Sequence, residues 1–199
     1  GDVIYLMPGV HNTCLPPGDD PQKGGASGGT PHIAYFRSNS SGGAEGNPIT
    51  IKPLRSPSSQ EPVVLGDAPC DGITLLETRH WVVDGIEVRG AGGWGVDLEG
   101  CMDCNVSRCV VHDNARLVDG GNPTGVMMRG SSGIVSNSVL FDNFEHPVKD
   151  FTRGDGVHIF GEGGGNITIF NNTFLNTKNA TDKDGNPMGF GGGTMYKHA

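Results

Sequence analysis

The sequence predicts an all-β solenoid, a single domain of stacked coils with a repeat of 23 to 34 residues. Three observations predict it. First, a phrase of two short β-runs recurs: GVHIFG then NITIFNNTF at 156–174, GVMMRG then GIVSNSVLFDN from 125, GVDLEG then CNVSRCVVHDN from 95, and GITLLE then HWVVDGIEVRG from 72. Second, the spacing is regular. The opening glycines at 72, 95, 125 and 156 give steps of 23, 30 and 31, and the first apolar anchors of the second run, Val83, Val106, Val135 and Ile169, give 23, 29 and 34. Third, the 34 Gly and 13 Pro lie between the runs rather than in one low-complexity block, and helical periodicity is almost absent. A minimal step with extra residues in some turns is what stacked coils with loop insertions produce, each strand pairing only with its counterpart one coil away.

The first 71 residues read as irregular coils that settle into regular ones near Gly72. Val3–Leu6 is an extended run stopped by Pro8-Gly9. Residues 12–31, with paired prolines and Gly-Gly steps, form a long loop, either a functional lip or a surface excursion. His32–Phe36, Asn47–Pro53 and Glu61–Gly66 are the next strands. From 72 to 199 the coils are regular. A second anchor follows the first five residues on, at Val88, Val111, Leu140 and Phe174, and between the anchors stand Ile86, Cys109, Ser138 and Asn172. Gly189 and the residues after it could open one more coil. The chain has no initiator Met and no signal peptide, so it reads as a piece of a longer one.

Alternation along a strand assigns the faces. With Ile73, Leu75, Val96, Leu98, Val126, Met128, Val157 and Ile159 inside, two outer columns follow, Thr74–Asp97–Met127–His158 and Leu76–Glu99–Arg129–Phe160. Strands about 4.8 Å apart make these columns one compact patch. Outward Phe160 and Leu76 call for cover by a loop or for a sugar ring to stack on them. Two charged loops stand beside the patch: 146–155 with His146, Lys149, Asp150, Arg153 and Asp155, and 111–121 with His112, Asp113, Arg116 and Asp119. The net charge of −8 argues against nucleic acid as the main partner, since that needs a broad basic surface. No apolar run is long enough to span a membrane.

The repeat phrase, closest at 156–174, resembles that of the right-handed parallel β-helix, the fold of pectate lyases and many carbohydrate-active proteins. The resemblance implies a substrate groove on the outer face of one parallel sheet, walled by loops. It points to Arg129, His158, Lys149 and Arg153 as catalytic residues, and to Asp97, Glu99, Phe160 and His146 as substrate-binding ones. The GVMMRG strand is similar to the strand of chondroitinase B-type and alginate lyases in which an arginine ends the outward row, and Arg129 matches it; the stretch matching their lysine, LEGCMDCN, has no lysine. β-Elimination from an acidic polysaccharide needs a cation on the uronate carboxylate, a base for the C5 proton and an acid for the leaving oxygen. The galacturonan hydrolases of this fold use clustered aspartates and an R-I-K phrase, absent here; Asp97 and Glu99 as acid and base of a glycoside hydrolase are the alternative chemistry.

Calcium serves some relatives, and Asp182-Lys-Asp184-Gly-Asn186 is oxygen-rich, but it lacks the closing Glu of a calcium loop and also makes a good turn. No metal site is assigned. The cysteines, Cys14, Cys70, Cys101, Cys104 and Cys109, do not make a zinc framework; their odd count leaves one thiol free or paired outside the chain, and Cys109 falls at an inward position. The glycosylation sequons start at Asn39, Asn105, Asn166, Asn171 and Asn179, and with one or two disulfides they suit a secreted or cell-surface protein; β-helix turns also favour Asn and Thr. Two functional classes are open. One is a carbohydrate-active β-helix, a lyase or hydrolase of acidic polysaccharide. The other is a non-catalytic structural, adhesive or fibre-forming module whose open strand edges invite end-to-end self-association.

Overall fold

The computed structural model describes residues 1–14, 32–37, 42–54, 62–114, 124–143, 155–161, 165–175 and 194–197. Its strands come three to a coil. The first coil is β1 (Val3–Leu6), β2 (Gly9–His11) and β3 (His32–Arg37), and the second is β4 (Ile49–Pro53), β5 (Val63–Ala68) and β6 (Asp71–Leu76). The third is β7 (Trp81–Asp84), β8 (Glu87–Ala91) and β9 (Val96–Glu99), and the fourth is β10 (Cys104–Ser107), β11 (Val110–His112) and β12 (Thr124–Arg129). The fifth is β13 (Gly133–Ser136), β14 (Val139–Phe141) and β15 (Asp155–Phe160), and the sixth is β16 (Ile167–Phe170), β17 (Thr173–Leu175) and β18 (Thr194–Lys197). The first strands of the six coils make sheet A, the second strands sheet B and the third strands sheet C. Every pairing between these strands is parallel. This is the parallel β-helix expected. Parallel pairing already begins at Val3.

What reads in the sequence as one second run per coil is two strands with a sharp corner between them. The A-to-B corner residues Gly85, Arg108, Asn137 and Asn171 have φ of 69°, 54°, 53° and 52°. This left-handed conformation turns the chain from sheet A to sheet B without a loop, and Gly and Asn adopt it at least cost. The next residues, Ile86, Cys109, Ser138 and Asn172, turn inward, as their alignment between the anchors implied. Ser138 Oγ accepts from Cys109 N–H at 3.1 Å, and Asn172 Oδ1 accepts from Ser138 N–H at 2.9 Å.

The other two corners repeat the device. From B to C the left-handed residues are Asp67, Gly90, Asp113 and Asp142, followed by Ala68, Ala91, Asn114 and Asn143. From C to A they are Glu77, Gly100, Gly130 and Gly161, and Thr78, Cys101 and Ser131 follow the first three, all buried. Where the residue after a corner is polar, as at Asn114, Ser131, Ser138, Asn143 and Asn172, its side chain closes backbone hydrogen bonds that no strand supplies.

Inside, each sheet contributes apolar columns. Ile51, Val83, Val106 and Val135 run down sheet A, Leu65, Val88, Val111 and Leu140 down sheet B, and Leu75, Leu98 and Met128 down sheet C, all shielded from solvent. Each such Ile, Leu or Met contributes about 1.5–3 kcal/mol over an exposed one. The glycines that mark the repeat are fixed by crowding: a Cβ on Gly95 would stand 2.7 Å from Gly125 O and 2.7 Å from Val111 Cγ1.

A harsher constraint holds at Gly133, where φ is +148° and a Cβ would lie 1.7 Å from the carbonyl oxygen of Cys104 in the paired strand. Gly133→Ala is expected to lower stability by about 3 kcal/mol or more, strain and overpacking together. The midpoint of urea unfolding checks this, and an unchanged midpoint would mean that β10 and β13 do not pair as described.

Candidate functional site

The parallel register produces the two outer columns read from the alternation. Thr74 pairs with Asp97, Asp97 with Met127 and Met127 with His158, while Leu76, Glu99, Arg129 and Phe160 pair in the same succession. The columns differ in exposure. Thr74, Asp97, Met127 and His158 point away from the coil interior yet are buried, Asp97 and His158 completely. Leu76, Glu99, Arg129 and Phe160 are partly open. The patch is therefore a covered row behind an accessible row, not a solvated face.

Arg129 is the centre of the accessible row. Its guanidinium carbon lies 5.2 Å from the centroid of Trp94 and 5.8 Å from that of Phe160, within cation–π reach of both. Nη1 stands 3.8 Å from Glu99 Oε2, close enough for attraction but not for a hydrogen bond. Arg129 Nε and Nη1 are buried and have no hydrogen-bond partner among the described residues. The ring of His158 meets Phe160 edge-on at 6.3 Å between centroids.

Asp97 sits behind this arginine with neither carboxylate oxygen hydrogen-bonded among the described residues. Burial pushes its pKa well above the usual carboxylate value, and the negative charges of Asp71 and Glu99 push the same way, against the pull of Arg129. The neutral acid is thereby favoured. The half-open Arg129 thus keeps unused donors in front of a wholly buried carboxyl group.

Residues 66–174 match the protein family described as Right handed beta helix region, which is more than half of the chain. The chain belongs to the right-handed β-helix family. No curated protein and no solved structure matches it.

Of the residues expected in the groove of this β-helix, Asp97, Glu99, Arg129, His158 and Phe160 share the outer face of sheet C. His146, Lys149 and Arg153 lie outside the described residues, as do Asp150, Arg116, Asp119 and the oxygen-rich stretch 182–186. Trp94 was not singled out in the sequence. It precedes β9 in a column shared with Asp71 and Thr124, and residues so unlike one another carry no repeat signal.

His112 and Asp113, expected beside the GVMMRG strand, stand instead on the outer face of sheet B. There the His112 ring stacks on Phe141 at 4.4 Å, with Nδ1 2.7 Å from Asp113 Oδ2 and Nε2 3.2 Å from Glu87 Oε1. Arg89 donates to Glu87 at 3.2 Å and to Asp67 at 3.3 Å, so this face is a self-satisfied ion network.

Among the described residues no group of three or more His, Cys, Asp or Glu could hold a metal ion, and no helix is long and apolar enough to cross a membrane. Cys14 and Cys70 form a disulfide, and Cys101, Cys104 and Cys109 are buried thiols. Of the sequon asparagines, Asn166 is exposed ahead of β16, and Asn105 Oδ1 accepts from Ile134 N–H at 3.0 Å. Asn171 is a corner residue that donates to Asn137 Oδ1 at 2.6 Å, while Asn39 and Asn179 lie outside the described residues.

Proposed function

We propose that this β-helix protein is extracellular and acts on an acidic polysaccharide by β-elimination along the outer face of sheet C. The observation that carries the reading is Arg129, held between Trp94 and Phe160 with two buried nitrogens unpartnered, beside a buried carboxyl group. A uronate carboxylate is the ligand class that fits such an arginine, and the Phe160 ring offers an apolar surface to the sugar.

In this reading Arg129 neutralises the uronate and so acidifies its C5 proton. A base removes that proton, the C4–O bond breaks, a C4–C5 double bond forms and the leaving oxygen is protonated. His158, one strand beyond Met127 in the covered row, is the candidate base among the described residues; Lys149 and Arg153 are the other candidates. The Cys14–Cys70 disulfide and the exposed Asn166 sequon support an oxidising, secretory compartment.

One observation favours a second, non-catalytic reading: Asp97 and His158 are 0 % exposed, so binding would use only the accessible row. Ultraviolet absorbance during incubation with a panel of acidic polysaccharides separates the two. Arg129→Ala is expected to cut any rise from unsaturated product at least 100-fold, in keeping with the loss of one charge-stabilising donor. No rise with any polymer, together with retained binding that Arg129→Ala removes, would replace the lyase reading with the binding one. Sizing of the same sample tests end-to-end association.

A further inference from the structure

The C-to-A corner after β9 carries a Cys-Met-Asp-Cys turn directly behind the site, Cys101 two residues past Glu99. Both sulfurs point inward and converge on one atom: Thr78 Oγ1 is 3.3 Å from Cys101 Sγ and 3.3 Å from Cys104 Sγ. Both side chains are buried, and each thiol also reaches a carbonyl of the previous coil, Cys101 that of Leu75 at 3.1 Å and Cys104 that of Thr78 at 3.6 Å. Cys109 is separate. It lies at the next corner, bonded to Val83 O and Ser107 O.

We propose that Cys101 and Cys104 are a peroxide-sensitive dithiol that closes into a second intrachain disulfide, with Cys109 remaining a permanent thiol. This assigns all five cysteines: one bridge between Cys14 and Cys70, one reversible pair and one core residue.

The step balances with a hydroperoxide as oxidant. The Cys104 thiolate attacks one peroxide oxygen, the O–O bond breaks, and Cys104 sulfenic acid and hydroxide form. Cys101 sulfur then attacks the sulfenic sulfur and expels its oxygen, which leaves as water after taking the Cys101 proton. Two thiols are oxidised by two electrons and one peroxide is reduced to two waters.

The chemistry of the three thiols supports the order of events. The hydrogen bond from Cys101 lowers the Cys104 pKa against the opposing effect of burial, while the same contact and burial raise that of Cys101. Cys104 is therefore the attacking sulfur and Cys101 the resolving one. Burial pushes Cys109 up to about 11, which leaves almost no thiolate at neutral pH. Both sulfurs are buried, so hydrogen peroxide reaches them on local opening of the corner.

The test uses the intact folded chain with the Cys14–Cys70 bridge in place. It is exposed to hydrogen peroxide, denatured in acid, alkylated, digested with trypsin and weighed by mass spectrometry. Cleavage after Arg89 and Arg108 leaves Cys101 and Cys104 in one peptide and puts Cys109 in the next. The expected result is an unlabelled peptide 90–108 lighter by two hydrogens at its cysteines, restored to two labels by dithiothreitol, with Cys109 fully labelled throughout. In Cys101→Ala, Cys104 should stop at a sulfenic acid trapped by dimedone. Two labels on peptide 90–108 after peroxide, irreversible sulfinic acid at Cys104 in the parent chain, or a bridge to Cys109 would each overturn the proposal.

Discussion

Asp97→Leu is expected to melt at a higher temperature than the parent protein at pH 8, with the margin narrowing as the pH falls. Asp97 is wholly buried with both oxygens unpartnered among the described residues. Burying an unpaired polar group costs about 1–3 kcal/mol, and leucine, with the same count and branching of heavy atoms, removes that cost between Thr74 and Met127. The pH dependence has a definite sign. Burial raises the Asp97 pKa, so the folded chain keeps a proton that the unfolded chain releases above about pH 4. Stability from this group is fully present below the unfolded value and is lost as the pH climbs towards the folded one. The leucine variant has no such loss. Thermal melts from pH 3 to pH 8 measure the difference directly. A variant less stable at every pH would show that the carboxyl is satisfied in the native protein. A gain in stability together with loss of polysaccharide turnover or binding would mark Asp97 as retained for function at the expense of stability.

The largest loss is expected from Asn114→Leu. Asn114 Nδ2 donates to Val88 O at 3.0 Å and to Asn143 Oδ1 at 2.9 Å, and Oδ1 accepts from Ala91 N–H at 3.0 Å. Asn143 repeats the pattern, its Nδ2 donating to Val111 O at 2.9 Å. One amide thus joins the third, fourth and fifth coils at the B-to-C corner. Leucine of nearly the same size strands a carbonyl and an N–H in the dry interior. At about 1–3 kcal/mol for each, the cost is about 2–6 kcal/mol. The urea midpoint should fall accordingly, and a shift below about 1 kcal/mol would mean that water or a neighbour replaces the amide.

The columns were legible in the sequence because their cause is local. Gly72, Gly95 and Gly125 recur since a Cβ there would strike the next coil, and Val96 and Leu98 alternate with Asp97 and Glu99 by strand geometry alone. Cys109, Ser138 and Asn172 aligned for the same reason. The split of each second run into two strands was less visible, because the corner conformation falls on Arg108 in one coil and on Gly or Asn in the others. Arg108 and Glu77 are residues from which a left-handed φ is not expected. The burial of Asp97 and His158 was not legible. Alternation says which way a side chain points, not whether its face is covered. His112 was expected near the GVMMRG strand because it shortly precedes it in sequence, but its own strand belongs to sheet B.

The B-to-C corner has a further consequence. Between β5 and β6 the chain spends two residues there, 69–70, and between β17 and β18 it spends eighteen, 176–193, yet the strands on either side keep the same three-sheet register. Closure entropy grows only with the logarithm of length, so such an expansion costs about 2 kcal/mol, less than the burial of one or two core side chains. The corner is thus a place where evolution can rewrite the chain beside Asp97 and Arg129 without disturbing the winding. Diversification of this lineage should appear as changes of length at one edge of an otherwise constant spool.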